Sequence, residues 1–140
     1  MSARIVLKLP SQMDYLGVPD AVLMEIGSDL ECCKRSLEEL GTSVIEACTN
    51  AMEHGNQLDE ETPIEVIFEV DDLEITITVL DRGPGFDFAM WEPSNELMRE
   101  RGRGILIMRE FCDSVNFLRH EDGRFMIVLV KKLEPADDCD

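Results

Sequence analysis

Runs of alternating apolar and polar positions recur along the chain, separated by two stretches with helical spacing. Ile5, Leu7 and Leu9 predict a first strand that ends at Pro10. From Ser11, a candidate helix cap, to about Leu30, the residues Leu16, Val22, Leu23, Ile26 and Leu30 keep roughly helical spacing. Gly17 and Pro19 divide that segment in two. A second helix is predicted over residues 37–54, stopped by Gly55-Asn56. Residues 57–63 read as a loop. Residues 64–70 and 73–80 form a predicted hairpin around Asp71-Asp72, with Ile75, Ile77 and Val79 on one face. Residues 81–101 hold two prolines and no clean period, the signature of a long functional loop. A short helix over 102–112 precedes a final hairpin, 115–118 with 125–133, turning at Glu121-Asp122-Gly123. Helices first and mostly strands afterwards argue for an α+β two-layer sandwich, not a doubly wound sheet.

Composition narrows this picture. The chain has 140 residues, 44% hydrophobic and 31% charged, enough for one domain (1–133) with a sizeable core. The acidic tail, 134–140, is expected to fray. Thirteen Lys+Arg against 30 Asp+Glu leave a formal net charge of -17. A binder of nucleic acid or of an anionic membrane surface needs a basic footprint, so both are excluded. The N-terminal apolar run is short and broken by Lys8, unlike a signal peptide, and no apolar stretch is long enough to cross a bilayer. The five cysteines are odd in number, include the adjacent Cys32 and Cys33, and form no CxxC pair. Free thiols in a reducing cytoplasm are the expectation.

Three short strings carry candidate chemistry. In Glu46-Ala47-Cys48-Thr49-Asn50-Ala51-Met52-Glu53-His54, the residues Glu46, Asn50 and His54 recur every four positions. That spacing drifts only about 40° around a helix at each step of four. The Asn50 carbonyl is a hard-oxygen ligand suited to magnesium that keeps its waters and binds phosphate oxygens. Glu46, one turn away, is placed to orient or deprotonate an attacking hydroxyl. His54 can support a phosphate or the helix end. The bland alternative is a solvated stripe on an amphipathic helix.

In Asp81-Arg82-Gly83-Pro84-Gly85-Phe86, a carboxylate closes an apolar strand before a glycine-rich turn. Asp81 can accept a hydrogen bond from the exocyclic amine of adenine and would repel the oxygen of guanine. Gly83 and Gly85 allow the backbone to pass close to a base. The alternative is an ordinary Asp-x-Gly turn. In Gly102-Arg103-Gly104, the free amides of a helix start can bind anions. Arg99, Arg101 and Arg103 concentrate positive charge there, fitting a polyphosphate. A solvated charged loop is the competing reading.

Taken together, this order of strings resembles the GHKL superfamily of ATPases, shared by gyrase, heat-shock chaperones, mismatch-repair ATPases and sensor histidine kinases. Within it the chain is most similar to the small bacterial anti-sigma-factor serine kinases, over nearly its whole length. The resemblance implies a Bergerat-type (histidine-kinase-like ATPase) fold, with helices on one face of a mixed, largely antiparallel sheet. It implies ATP and Mg2+ as cofactors. Glu46 would be the catalytic base and Asn50 the magnesium ligand. His54, Asp81, Gly83, Gly85, Arg101, Gly102, Arg103 and Gly104 would line the nucleotide site, with 86–101 as a lid. Members phosphorylate a serine on a small anti-anti-sigma antagonist and hold a sigma factor inactive, often as homodimers in the cytoplasm. Many carry a Ser or Thr on the last long strand, whereas Gly123-Arg124-Phe125-Met126-Ile127 offers no hydroxyl. The short lid with Trp91 favours the anti-sigma kinases over gyrase-like ATPases. Two other readings stand beside the kinase: an ATP-gated protein-binding module with little or no transfer, and the catalytic domain of a sensor histidine kinase. The second of these lacks a phosphoacceptor helical hairpin before Ile5.

Overall fold

The fold, taken from a computed structural model, is described for residues 2–85 and 96–139, with only the backbone for 96–101. Five strands form one sheet: β1 (Ser2–Leu9), β2 (Ile64–Asp71), β3 (Glu74–Asp81), β4 (Ser114–Arg119) and β5 (Phe125–Lys132). Their order is β1-β2-β3-β5-β4. All four pairings are antiparallel, so these strands form no mixed sheet. The helices are α1 (Gly17–Ser28), α2 (Lys34–Thr49) and α3 (Glu96–Phe111).

Period-two alternation decides which face is covered. Ile64, Val66, Phe68 and Val70 of β2 are buried, as are Ile75, Ile77, Val79 and Asp81 of β3 and Phe125, Ile127, Leu129 and Lys131 of β5. Leu37, Leu40, Val44, Ala47 and Cys48, spaced as one face of α2, join that core together with Leu23, Ile105 and Met108. Helix α2 is the middle of the helical layer: it packs on α1, on α3, and on β3 and β5 beneath. The two-layer α+β sandwich read from the sequence is therefore the observed architecture.

Several boundaries depart from the pattern-based reading, each for a local reason. Ser11 does not cap a helix. A 3-10 turn, Met13–Tyr15, follows it, and α1 begins at Gly17 with Pro19 in its first turn, where a missing N–H costs nothing. The second helix is not uniform. After Thr49 it widens into a π-helical turn, Asn50–Gly55, in which the Asn56 N–H reaches back to the Ala51 carbonyl. The expected loop ends early, because α3 starts at Glu96. Leu97, Met98, Arg99, Glu100 and Arg101 are all good helix formers and carry the helix through Gly102 and Gly104. The C-terminal end of α3 is held by Lys131 of β5, whose ammonium donates to the Phe111 carbonyl.

The tail and the cysteines also differ from expectation. Residues after Leu133 turn back across the start of α2 rather than fray. The Cys33 N–H donates to the Glu134 carbonyl at 2.7 Å, the Ala136 N–H donates to the Glu31 carbonyl at 3.1 Å, and a 3-10 turn spans Ala136–Asp138. A disulfide joins Cys33 to Cys139, leaving Cys32, Cys48 and Cys112 free. The sequence could not reveal this pair, because its partners lie 106 residues apart. Closing so long a loop restricts the unfolded chain by about 2–5 kcal/mol. Cys139→Ser is expected to lower the melting temperature by roughly 10 °C under oxidising conditions, read by circular dichroism. Wild type and variant should melt together once a dithiol reductant is added, and a gap that persists would mean the tail is held by contacts other than the bridge.

Candidate active site

The π-helical turn carries functional side chains at both of its ends. At its start, Asn50 is only 4% exposed. Among the described residues no group pairs with its carboxamide. A buried amide without a partner costs roughly 1–3 kcal/mol, a cost that a ligand's polar group could offset. Glu46 stands one α-helical turn earlier and is half-buried. The two side chains converge on Gly104 of α3. A Cβ placed there would lie 2.7 Å from Glu46 Oε2 and 3.6 Å from Asn50 Nδ2. Cys48, between them in sequence, faces the core instead. Burial pushes its thiol up to about 12, so it supplies no thiolate.

At the far end of the turn, Gly55 faces Asp81. The Asp81 carboxylate, 1% exposed, would contact a Cβ on Gly55 at 2.4 Å. It also accepts from the Gly83 N–H at 2.7 Å. A Cβ on Gly83 would meet the Gly55 carbonyl oxygen at 2.3 Å. These two glycines therefore bring the helical layer and the strand-end turn into backbone contact, where no side chain fits. Gly85, at φ +68°, lies against the Phe125 ring, which a Cβ would meet at 2.3 Å.

Asn56 locks the two segments together. Its side-chain oxygen accepts from the Arg82 N–H at 2.8 Å. Its amide nitrogen donates to Ser11 Oγ at 3.1 Å and to the Thr62 carbonyl at 2.9 Å, while Ser11 Oγ donates to that same carbonyl at 2.6 Å. Read from sequence, Asn56 is a helix stop and Ser11 a cap. In the fold both are buried links between β1, the π-helical turn and the loop after β3.

The predicted residues thus fall into two adjoining groups. Glu46, Asn50 and Gly104 form one; Asp81, Gly83 and Gly85 form the other, joined through Asn50–Gly55. His54 is half-buried within that joining turn, and Arg103 is exposed on α3. Gly102 and Gly104 are buried inside α3, not at its start, so in this arrangement the backbone amides of 102–104 belong to the helix rather than to a phosphate cradle. Arg99 and Arg101 lie in the first turns of α3. Residues 86–95, including Trp91 and most of the expected lid, lie outside the described residues. Phe125, not a hydroxyl residue, is the cross-strand neighbour of Asp81.

The donor chemistry suits a nucleotide with a hard divalent cation. Glu46 and Asn50 offer a carboxylate and an amide carbonyl side by side. No cluster of three or more His, Cys, Asp or Glu side chains able to hold a metal ion occurs among the described residues. One or two protein oxygens, completed by phosphate and water, is how magnesium is ordinarily held. Asp81 is an acceptor-only group at the root of a glycine turn, matched to an exocyclic amine.

The profile of the family described as histidine kinase-like ATPase domain matches residues 9–131. Serine-protein kinase RsbW of Bacillus subtilis (strain 168) is 29% identical over 125 residues, 83% of this chain and 78% of the relative. An anti-sigma F factor of Clostridium perfringens is 32% identical over 103 residues, 69% of this chain and 73% of the relative. Among solved structures, the RsbU and RsbW domains of a Mycobacterium tuberculosis protein superpose with a TM-score of 0.68 at 17% identity, over 94% of this chain and 32% of that one. The histidine kinase domain of a blue-light activated kinase from Erythrobacter litoralis superposes with a TM-score of 0.54 at 18% identity, over 89% of this chain and 61% of that one. With a matching fold and a profile match over most of its length, the chain belongs to the histidine kinase-like ATPase domain family.

Proposed function

We propose that this protein is an ATP-dependent serine protein kinase that acts as an anti-sigma factor. The observation that carries the reading is the convergence on Gly104 of Glu46 and the buried Asn50 carboxamide, which has no partner among the described residues. A domain that only gripped nucleotide would need no carboxylate beside the metal ligand.

Asp81 accepts the exocyclic amine of adenine, and the Gly83–Gly85 turn lies along the base. Magnesium would be held by the Asn50 carbonyl and, when bound, offsets charge on the phosphates. Glu46 orients the serine hydroxyl of a protein substrate and takes its proton as the oxygen attacks the γ-phosphate, with ADP leaving. Arg101 and Arg103 supply positive charge for the phosphates, and His54 supports them from the π-helical turn. The substrate is a small anti-anti-sigma antagonist. The second partner is a sigma factor, held by a homodimer in the cytoplasm, where ATP is abundant. The names of the relatives, serine-protein kinase and anti-sigma F factor, support this reading.

Two experiments test it. Glu46→Gln, incubated with γ-labelled ATP, magnesium and a cytosolic extract of the source organism, should lose transfer to a small protein by a factor of about 10²–10⁴. ATP affinity by calorimetry should stay near the wild-type value. Transfer that survives the substitution would remove Glu46 as base, and wild-type ATP binding without any labelled band would leave a nucleotide-gated binding module. Gly83→Ala forces the turn away from Gly55. Overpacking of this kind costs about 1–3 kcal/mol, so ATP affinity should fall about 5- to 100-fold, read in the same calorimeter.

A further inference from the structure

We propose that Arg119 is a positioning residue for the nucleotide base, acting by strapping the Gly83–Gly85 turn onto the Phe125 ring. Asp81, Phe125 and Arg119 form one row across β3, β5 and β4, each the register partner of the next. From the end of that row the Arg119 guanidinium reaches back over Phe125, 5.5 Å from the ring centroid. It donates to the carbonyls of Pro84 at 2.6 Å and Gly83 at 3.3 Å. A third bond goes to the Gly123 carbonyl at 3.2 Å. Only a planar fork with several N–H groups can serve these carbonyls at once while lying on an aromatic face.

Both ends of the strap are fixed. Gly123 belongs to the β4–β5 turn. There Asp122 accepts from the Arg124 N–H at 3.0 Å and Nε at 2.8 Å, and Arg124 reaches Glu65 of β2 at 3.0 Å. Phe125 is stacked on Phe117 at 6.3 Å, with the rings 8° apart. The turn itself has only glycine and proline side chains between Arg82 and residue 86, so none of its own side chains can hydrogen-bond to fix it. Asn56 grips its first residue through the Arg82 N–H, Asp81 accepts from the Gly83 N–H, and Arg119 holds the Gly83 and Pro84 carbonyls. Where a hydroxyl on the last strand would offer a polar contact beside Asp81, this chain has Phe125 capped by a guanidinium. The consequence is a base pocket in which the turn that donates the Gly83 N–H to Asp81 is held by a strap that, among the described residues, contacts backbone carbonyls and an aromatic ring.

This inference rests on reading the site as an ATP site, and the test separates the two. Displacement of a fluorescent ATP analogue by ATP and by GTP is measured for the wild type, Arg119→Ala and Arg119→Lys, with circular dichroism as a folding check. Arg119→Ala is expected to weaken ATP about tenfold and GTP much less, so the ATP-over-GTP preference shrinks. Arg119→Lys keeps the charge but not the fork, and should fall between the two; if the alanine variant does not fold, the lysine variant alone must show the reduced preference. Unchanged ATP affinity in the folded variants would overturn the proposal. So would an equal loss for both nucleotides, the mark of a merely structural arginine. A wild-type protein that binds no ATP overturns the functional reading itself, and this inference with it.

Discussion

The site depends on one steric fact: the backbone of Gly55 and the backbone of Gly83 touch. Gly55 ends a helical segment of one layer, and Gly83 begins the turn that leaves the central strand of the other. Any side chain at either position would wedge the layers apart at the point where Asp81 is buried. Asn56 and Ser11 then bolt the contact from the side, so that the loop after β3 cannot drift. Asp81 can be buried, although it is a carboxylate, because the Gly83 N–H is delivered to it by this same approach.

The π-helical turn makes that contact compatible with the chemistry one end over. In a uniform α-helix, Glu46, Asn50 and His54 would continue a slow drift around one face. Widening the ladder after Thr49 alters the rotation per residue between Asn50 and Gly55. Asn50 thereby stays beside Glu46 and under Gly104, while Gly55 still arrives at Asp81. Helix α2, packed on both of its neighbours and on the sheet, supplies the rigid base from which the irregular turn departs.

Much of this was legible in the chain itself. Strand limits came out within a few residues, because one face of each strand is buried and the alternation is clean. Glu46, Asn50, Asp81, Gly83 and Gly85 were identified as site candidates from spacing and residue chemistry, and the fold brings them into two adjoining groups. Missed features share a cause: each depends on contacts between residues far apart in sequence. Asn56 reads as a helix stop because its partners, Ser11 and Arg82, are 45 and 26 residues away. The disulfide leaves no local signal for the same reason. Arg119 gave no local signal, since it sits in an ordinary strand and its targets are carbonyls. The start of α3 differs from the pattern because glycines at 102 and 104 read as a boundary, whereas six helix-favouring residues before them outweigh two glycines.

The row formed by Ser2, Asp71, Glu74 and Lys132 runs across the end of the sheet opposite the row that contains Asp81 and Phe125. The polypeptide therefore enters and leaves the sheet at one rim, and the candidate residues Asp81, Gly83 and Gly85 lie at the other. A unit with this polarity can be spliced into a longer polypeptide, or joined to sensory and effector modules, without its linkers crossing the mouth of the site. Rearrangement of the surrounding architecture and refinement of the catalytic end are then separable problems for evolution, and for anyone building chimaeras from this domain.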